Sequence, residues 1–408
     1  MKKTIKSQIK KTLFLCCIVS LNTYVFADDE TSPYKDIGAT KHKEEGFTYK
    51  FGGKAQLRAD TYDGLFTNNG ESETDYYLRK AELSVAGQFI SSLHYEIKLK
   101  SDNEGDVTLR DAYISYDLPY KSELLIGRFD PDFGLELTGS SSWTTANERS
   151  SIWDLVKNAG DGSDGRGIGL RTGHKHYFVS VGGFDFSNSA VVNARAAYMP
   201  INNRKQVLHF GYSVRNEHYD TPDTGVVRTD LGVWGVHVND NGNSIRLARD
   251  SRAYGFDEDL SQVLEIAYAY GPFSIQAEHL DKHSTAARKG DNRDATGDYV
   301  QVAYTLTGEA RNYNTNNATF GKVKSKRAYG AWEIFYRHDK VETDGEAGML
   351  SRSRTHGEAN SRIMGINWYA CDYLKVSLNH ITGEAPLIPN DINDEQGKAY
   401  SLQAQIKF

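Results

Sequence analysis

Lys322, Lys324 and Lys326 stand two residues apart, a spacing that puts three ammonium groups on one face of a strand. Such a run is costly unless that face meets water or an anion. Basic residues gather again between His218 and Glu258, at Arg228, Arg246, Arg249 and Arg252, and Arg79-Lys80 form an adjacent pair. The chemistry open to these groups is electrostatic: they can attract, orient and release anions. Bond-making chemistry has no comparable support. His174 and His176 share a face but lack a third ligand, and exposed turn residues account for them. The glycine-rich run from Gly160 to Gly169 precedes a strand and not a helix, which removes the usual way of cradling a phosphate. No serine, histidine and acid group into a catalytic set, so no enzyme and no cofactor is expected.

The elements that must position these charges are strands. Leu93 to Lys100 alternates apolar and polar residues without a fault, and the code recurs at Leu208 to Arg215 and at Trp332 to Arg337. Sixteen strands are read, beginning near Gly46, Asp75, Ser92, Val107, Ser122, Arg166, His176, Ala190, Lys205, Asp259, Pro272, Gly297, Arg327, Ser361, Tyr373 and Lys398. Their connections mostly alternate between short (Pro119 to Lys121, Gly271-Pro272, Ala370 to Asp372) and long (Phe133 to Gly165, His218 to Glu258, Asp339 to Asn360). Short turns at one rim and long loops at the other predict an all-β fold, a 16-stranded antiparallel transmembrane β-barrel. Tyr400, Leu402, Ala404, Ile406 and Phe408 share one face of a last strand ending in an aromatic residue, as such barrels commonly do. Three segments break the alternation: Phe133 to Gly165, His218 to Glu258 and Glu309 to Lys326. All three are expected to fold inward, and the first to narrow the lumen.

Composition agrees with this reading. The 408 residues are 39% hydrophobic and 25% charged, which leaves no room for a bundle of apolar transmembrane helices. A mean hydropathy of −0.58 is what strands with one apolar and one wet face produce. Residues 1–27 carry five lysines and no acid, then a short apolar run, then Val25-Phe26-Ala27, the pattern of a bacterial secretory signal peptide. The expected organisation is residues 1–27 signal peptide, 28–45 short periplasmic segment and 46–408 barrel, in the bacterial outer membrane. Loss of those lysines moves the net charge from −6 to −11, which argues against a nucleic-acid partner. Cys16 and Cys17 leave with the signal, so Cys371 remains alone and no intrachain disulfide is expected.

The stretch from Ile126 to Glu136, then Ser140-Ser141-Ser142-Trp143 and Glu148-Arg149, resembles the phosphate-selective porin O/P family. So do Ala303 to Glu309, Gly330 to Arg337 and Gly365 to Ala370, in the family's order. The resemblance implies a homotrimeric outer-membrane diffusion channel for small inorganic anions, phosphate-like, with outer-membrane lipid around it. It also implies a path of basic residues toward a constriction. Carried over position by position, the expected anion-binding and pore-lining residues are Lys54, Arg79, Lys80, Asp111, Ser140, Ser141, Arg149 and Lys324, with Arg228 and Arg246 on the arginine-bearing loop. His94, Leu137 and Asn314 stand where constriction lysines would be expected, which predicts weaker phosphate binding or another anion.

Strand parity complicates one position. Lys80 shares the wet face with Glu82 and Ser84, but Arg79 falls with Leu83 and Val85 and reaches the lumen only if the strand is bent there. Asp111 shares its face with Tyr113 and Ser115, as a lumen residue would. His94 at a constriction would make anion selectivity rise as pH falls from about 7 to 5. A general or cation-tolerant porin, a barrel adhesin and a barrel enzyme are the competing readings.

Overall fold

The computed structural model describes residues 42–44, 47–101, 105–156, 165–223, 226–248, 255–287, 292–345, 356–386 and 395–408. The expected signal peptide, most of the 28–45 segment, Arg249 and Arg252 lie outside these. Among the described residues sixteen strands form one antiparallel barrel: β1 (Phe47–Gly64), β2 (Gly70–Ile90), β3 (Leu93–Ser101), β4 (Val107–Leu118), β5 (Ser122–Arg128), β6 (Arg166–Gly173), β7 (Tyr177–Asp185), β8 (Ser189–Asn202), β9 (Gln206–Asp223), β10 (Phe256–Tyr270), β11 (Phe273–Ala286), β12 (Arg293–Thr305), β13 (Ala331–Gly345), β14 (Gly357–Tyr369), β15 (Leu374–Glu384) and β16 (Gln396–Lys407). Each strand pairs with the next. Pairing of β1 with β16, from Lys54 opposite Lys407 to Tyr62 opposite Ala399, closes the barrel and leaves no edge. A three-residue strand, His42–Glu44, pairs with the start of β1.

Alternation explains why these segments pair as they do. On β9, Phe210 and Tyr212 are exposed on the outside, whereas His209, Ser213, Arg215 and Glu217 are buried on the lumen side. On β13 and β14 the outward residues Trp332, Ile334, Tyr336 and Met364, Ile366, Trp368 form part of an apolar band. Trp332 and Trp368 are cross-strand partners whose rings stack 5.6 Å apart at its short-turn edge, an aromatic girdle. Past Tyr336 the outward residues turn polar, His338, Lys340 and Glu342, and mark the band's other edge.

At one rim the links are tight, such as Ser91-Ser92 and Gly271-Pro272, where Gly271 adopts φ +55°. The opposite rim carries the long links, although Leu65–Asn69 and residues 186–188 are short there too; the first is short because β2 begins at Gly70, earlier than the Asp75 that alternation suggests. Three segments enter the lumen, one of them 226–248, where the Gly235 amide donates to Asp60 and the Trp234 ring lies against the Arg79 guanidinium. Between β5 and β6 the chain from Phe129 to Val156 folds inward; Phe133, Ile152, Trp153 and Leu155 are buried against residues of both walls and of the segment 226–248. Each such burial contributes about 1.5–3 kcal/mol. Between β12 and β13, a hairpin of Arg311–Asn314 with Thr319–Val323 packs inward from the short-turn rim, where Arg195 Nη1 and Nη2 donate to the carbonyls of Asn317 and Ala318.

Candidate functional site

The inward segment is held by the polar wall. Arg337 on β13 donates through Nη1 to the Glu148 carbonyl (3.0 Å) and through Nη2 to the Arg149 carbonyl (3.1 Å), and it faces Asp339 and Glu136. Lys375 on β15 donates to the Thr144 carbonyl (2.8 Å), Gln405 on β16 to the Ser142 carbonyl (3.0 Å) and Asn367 on β14 to the Thr145 carbonyl (2.9 Å). The two oxygens of Glu278 accept from the amides of Leu135 (2.6 Å) and Glu136 (3.0 Å), which satisfies the start of the short helix Leu135–Thr138. Gly134, at φ +70°, precedes it; a Cβ there would lie 2.1 Å from the Trp153 ring, so only glycine fits. Wall and segment thus satisfy one another where neither could be buried alone.

Two cavities among the described residues meet at this segment. One, of about 330 Å³, reaches toward the short-turn rim and is lined by Lys54, Lys98, Arg110, Asp111, Ser140, Ser141, Arg149, Arg171 and Lys407, among others. The other, of about 220 Å³, is lined by Arg79, Lys80, Glu148, Arg149, Asp154, Asp230 and Trp234 and lies toward the long links. Leu137, Ser141 and Arg149 line both and form the neck between them.

Of the expected residues, Lys54, Asp111 and Ser140 line the inner cavity, Arg79 and Lys80 the outer one, and Ser141 and Arg149 the neck. Arg79 gets there by a β-bulge. Gln56 pairs with Lys80 and Leu57 with Leu78, so Arg79 is an extra residue and both members of the basic pair face the lumen. The same device recurs one hairpin later, where Lys98 pairs with Asp111 and Leu99 with Leu109, which turns both Arg110 and Asp111 inward.

Most inner-cavity cations are matched by acids. Lys54 pairs with Glu82 (2.8 Å), Lys98 with Glu96 (2.8 Å) and Asp111 (2.5 Å), and Arg110 with Asp111 (2.7 Å) and Asp130 (2.8 Å). Lys407 differs: it stands directly across from Lys54, donates to Ser140 Oγ at 3.4 Å and has no ion pair among the described residues. Lys54 Nζ donates to Ser141 Oγ at 3.3 Å, so two ammonium groups and two hydroxyls face one another. In the outer cavity burial favours the neutral form of Glu148, but Arg79 and Arg58 outweigh it and hold that carboxyl well below the usual range. Burial, and then Asp230 opposite, push the Asp154 carboxyl well above it.

The remaining expected residues line neither cavity. His94 is on the lumen side of β3 but near the short turn, with Nε2 2.8 Å from Asp117 Oδ2. The reason is reach: Glu96 and Lys98, further along the same face, take the cavity wall. Selectivity between pH 7 and 5 should therefore be the same in His94→Ala as in the parent, measured as reversal potential across a bilayer. Arg228 and Arg246 are exposed partners in a small hairpin, Val227–Thr229 with Ile245–Ala248, and Arg228 donates to the Ser244 carbonyl (2.8 Å). Lys324 is exposed beyond the inserted hairpin, and Asn314 is exposed on it.

Lys98, Arg110, Arg171 and Lys407 were not among the expected residues. Parity identifies two of them, since Lys98 is on the wet face of β3 and Lys407 shares a face with Ser401, Gln403 and Gln405. The bulge conceals Arg110.

Residues 50–408 match the family model described as phosphate-selective porin O and P. Porin O of Pseudomonas aeruginosa (strain PAO1) is 32% identical over 401 residues, covering 91% of this chain and 90% of that protein. Among solved structures, an anion-selective porin from Comamonas acidovorans superposes with TM-score 0.57 at 10% identity, over 89% of this chain and 100% of that one. OmpT of Vibrio cholerae in a trimer form does so with TM-score 0.54 at 10% identity, over 89% and 100%.

Proposed function

The chain belongs to the phosphate-selective porin O and P family, and from that premise we propose that it is a passive channel taking phosphate-like anions through the two cavities in series. It is an outer-membrane anion porin, a channel of the bacterial outer membrane. The observation that carries the finer reading is the order of basic groups along the passage: Arg79 and Lys80, then Arg149 beside Ser141 at the neck, then Lys54 and Lys407. An anion entering from the long-link side passes Arg228 and Arg246 before this path.

The mechanism is electrostatic. Protein atoms of the inward segment take the place of bulk solvent along the passage, so each cation lowers the barrier for an anion more than it would in bulk solvent. Paired acids keep that attraction shallow, and an anion that binds weakly at several stations is released. No catalytic step is invoked. The protein is read as a homotrimer embedded in outer-membrane lipid, as the trimer form of the Vibrio cholerae relative suggests for this fold.

A planar-bilayer recording under a salt gradient tests the reading: the reversal potential should lie toward that of chloride, and phosphate at millimolar levels should inhibit the chloride current. The near balance of acids and bases in the inner cavity, and Leu137 at the neck, favour one alternative, a general or cation-tolerant porin. A reversal potential toward the cation together with no inhibition by phosphate identifies it.

A further inference from the structure

Glu148 occupies a place built for an anion. Its Oε1 accepts from Arg79 Nε (2.7 Å) and its Oε2 from Arg79 Nη2 (3.0 Å), a bidentate fork, and Arg58 Nη1 also donates to Oε1. Each guanidinium group also has a partner other than Glu148. Arg58 Nη2 donates to Gln403 Oε1 (2.5 Å) and to the Asn147 carbonyl (3.1 Å), and the Arg79 guanidinium lies 3.6 Å from the centre of the Trp234 ring. Arg58 Nε, buried, has no hydrogen-bond partner among the described residues. Arg79 lines the outer cavity, whereas Arg58 is buried off it with Asp60 also near, and among the described residues Glu148 is the carboxylate that both guanidinium groups hydrogen-bond.

The backbone of Glu148 is held independently of its side chain. Its carbonyl is fixed by Arg337, whereas the side chain lines the cavity and is 18% exposed. We propose that the Glu148 carboxylate is a built-in competitor: a small oxyanion crosses the outer cavity by exchanging with it on Arg79, with Arg58 uncovered as Glu148 swings aside, and Glu148 returns as the anion moves to Arg149 and the neck. The inference rests on the anion-porin reading and adds to it the residue that sets affinity. Two arginines alone would hold an oxyanion through several charge-assisted hydrogen bonds and slow its departure. A resident carboxylate that re-forms those bonds makes release nearly neutral in energy. The guanidinium fork suits carboxylates, phosphate and other planar or tetrahedral oxyanions better than chloride.

The test compares three variants of the full-length protein in planar bilayers. Glu148→Gln keeps the shape and removes the charge; the phosphate concentration that halves the chloride current should fall about tenfold, and the reversal potential should move further toward chloride. Glu148→Asp keeps the charge and should stay within about twofold of the parent. Glu148→Ala clears the place, and acetate should then inhibit the chloride current at a concentration about tenfold lower than in the parent. An unchanged phosphate response in Glu148→Gln, equal shifts in the Gln and Asp variants, or unchanged acetate sensitivity in Glu148→Ala overturns the proposal. If one variant fails to assemble, the other neutral variant decides. Cation selectivity in the parent would refute the anion reading alone, because the role of Glu148 is read from the difference between variant and parent.

Discussion

Replacing Arg337 by alanine is expected to release the inward segment, raise single-channel conductance severalfold and weaken ion selectivity. Arg337 is fully buried and binds four groups at once: the carbonyls of Glu148 and Arg149 and the carboxylates of Glu136 and Asp339. Its removal leaves two buried acids without their cation, a defect that costs about 3–5 kcal/mol. The segment cannot relax in place, because Ser150 Oγ also donates to Asp339 and the Ser150 amide to Glu136. Moving away from the wall lets water reach both acids, and the lumen widens as it moves. Sixteen strands enclose a lumen wide enough for water once nothing fills it. Arg337→Lys retains the charge with fewer donors and should give an intermediate conductance. Unchanged conductance in a barrel that still migrates as folded on an unboiled gel would show that the remaining anchors at Thr144, Thr145 and Ser142 suffice.

The barrel was legible in the sequence because its physics is periodic. Alternation at Leu93 to Lys100 and at Trp332 to Arg337 follows from one face meeting lipid and the other the lumen, and most expected strand starts fall within a few residues of those observed. One larger offset, Ala331 against Arg327, falls at the short-turn rim after the inserted hairpin; the others, at Gly70 against Asp75, Arg293 against Gly297 and Gly357 against Ser361, fall at the long-link rim. Strands there run past the apolar band, so their outward residues are polar and the pattern fades before the pairing does. The inward course of the Phe133 segment was also legible, from its length and its lack of alternation.

The passage was less legible because its geometry depends on local irregularity. A bulge adds one residue to one strand and leaves no compositional mark, so parity put Arg79 on the lipid side and hid Arg110. The partners of the charges were out of reach as well. Glu148 meets Arg58 and Arg79 only because a loop crosses the lumen, and Lys407 faces Lys54 only because the last strand closes on the first. The family resemblance likewise placed His94 along the passage, while its distance along β3 puts it beside Asp117.

Leu137→Lys is expected to have the largest effect on selectivity. Leu137 lines both cavities at the neck, where Ser141 and Arg149 complete the lining, and it is only 8% exposed. The change sacrifices an apolar contact with the inward cluster, a cost of about 1.5–3 kcal/mol that a lysine offsets in part by laying its methylene stem on the same surface. Its ammonium would reach the neck. At about 5 Å and an effective dielectric of about 20, a new cation contributes roughly 3 kcal/mol of attraction to a monovalent anion and more to a divalent one. Repulsion from Arg149 lies within the same range, but Arg149 donates to the carbonyls of Leu137 (3.0 Å) and Gly139 (2.9 Å), which keep it in place. The half-inhibiting phosphate concentration should drop at least tenfold and the reversal potential should move toward chloride, while Leu137→Met, of similar volume and no charge, should leave both unchanged. Equal behaviour of the Lys and Met variants would mean that ions bypass the neck, and the two cavities would then not form a single path.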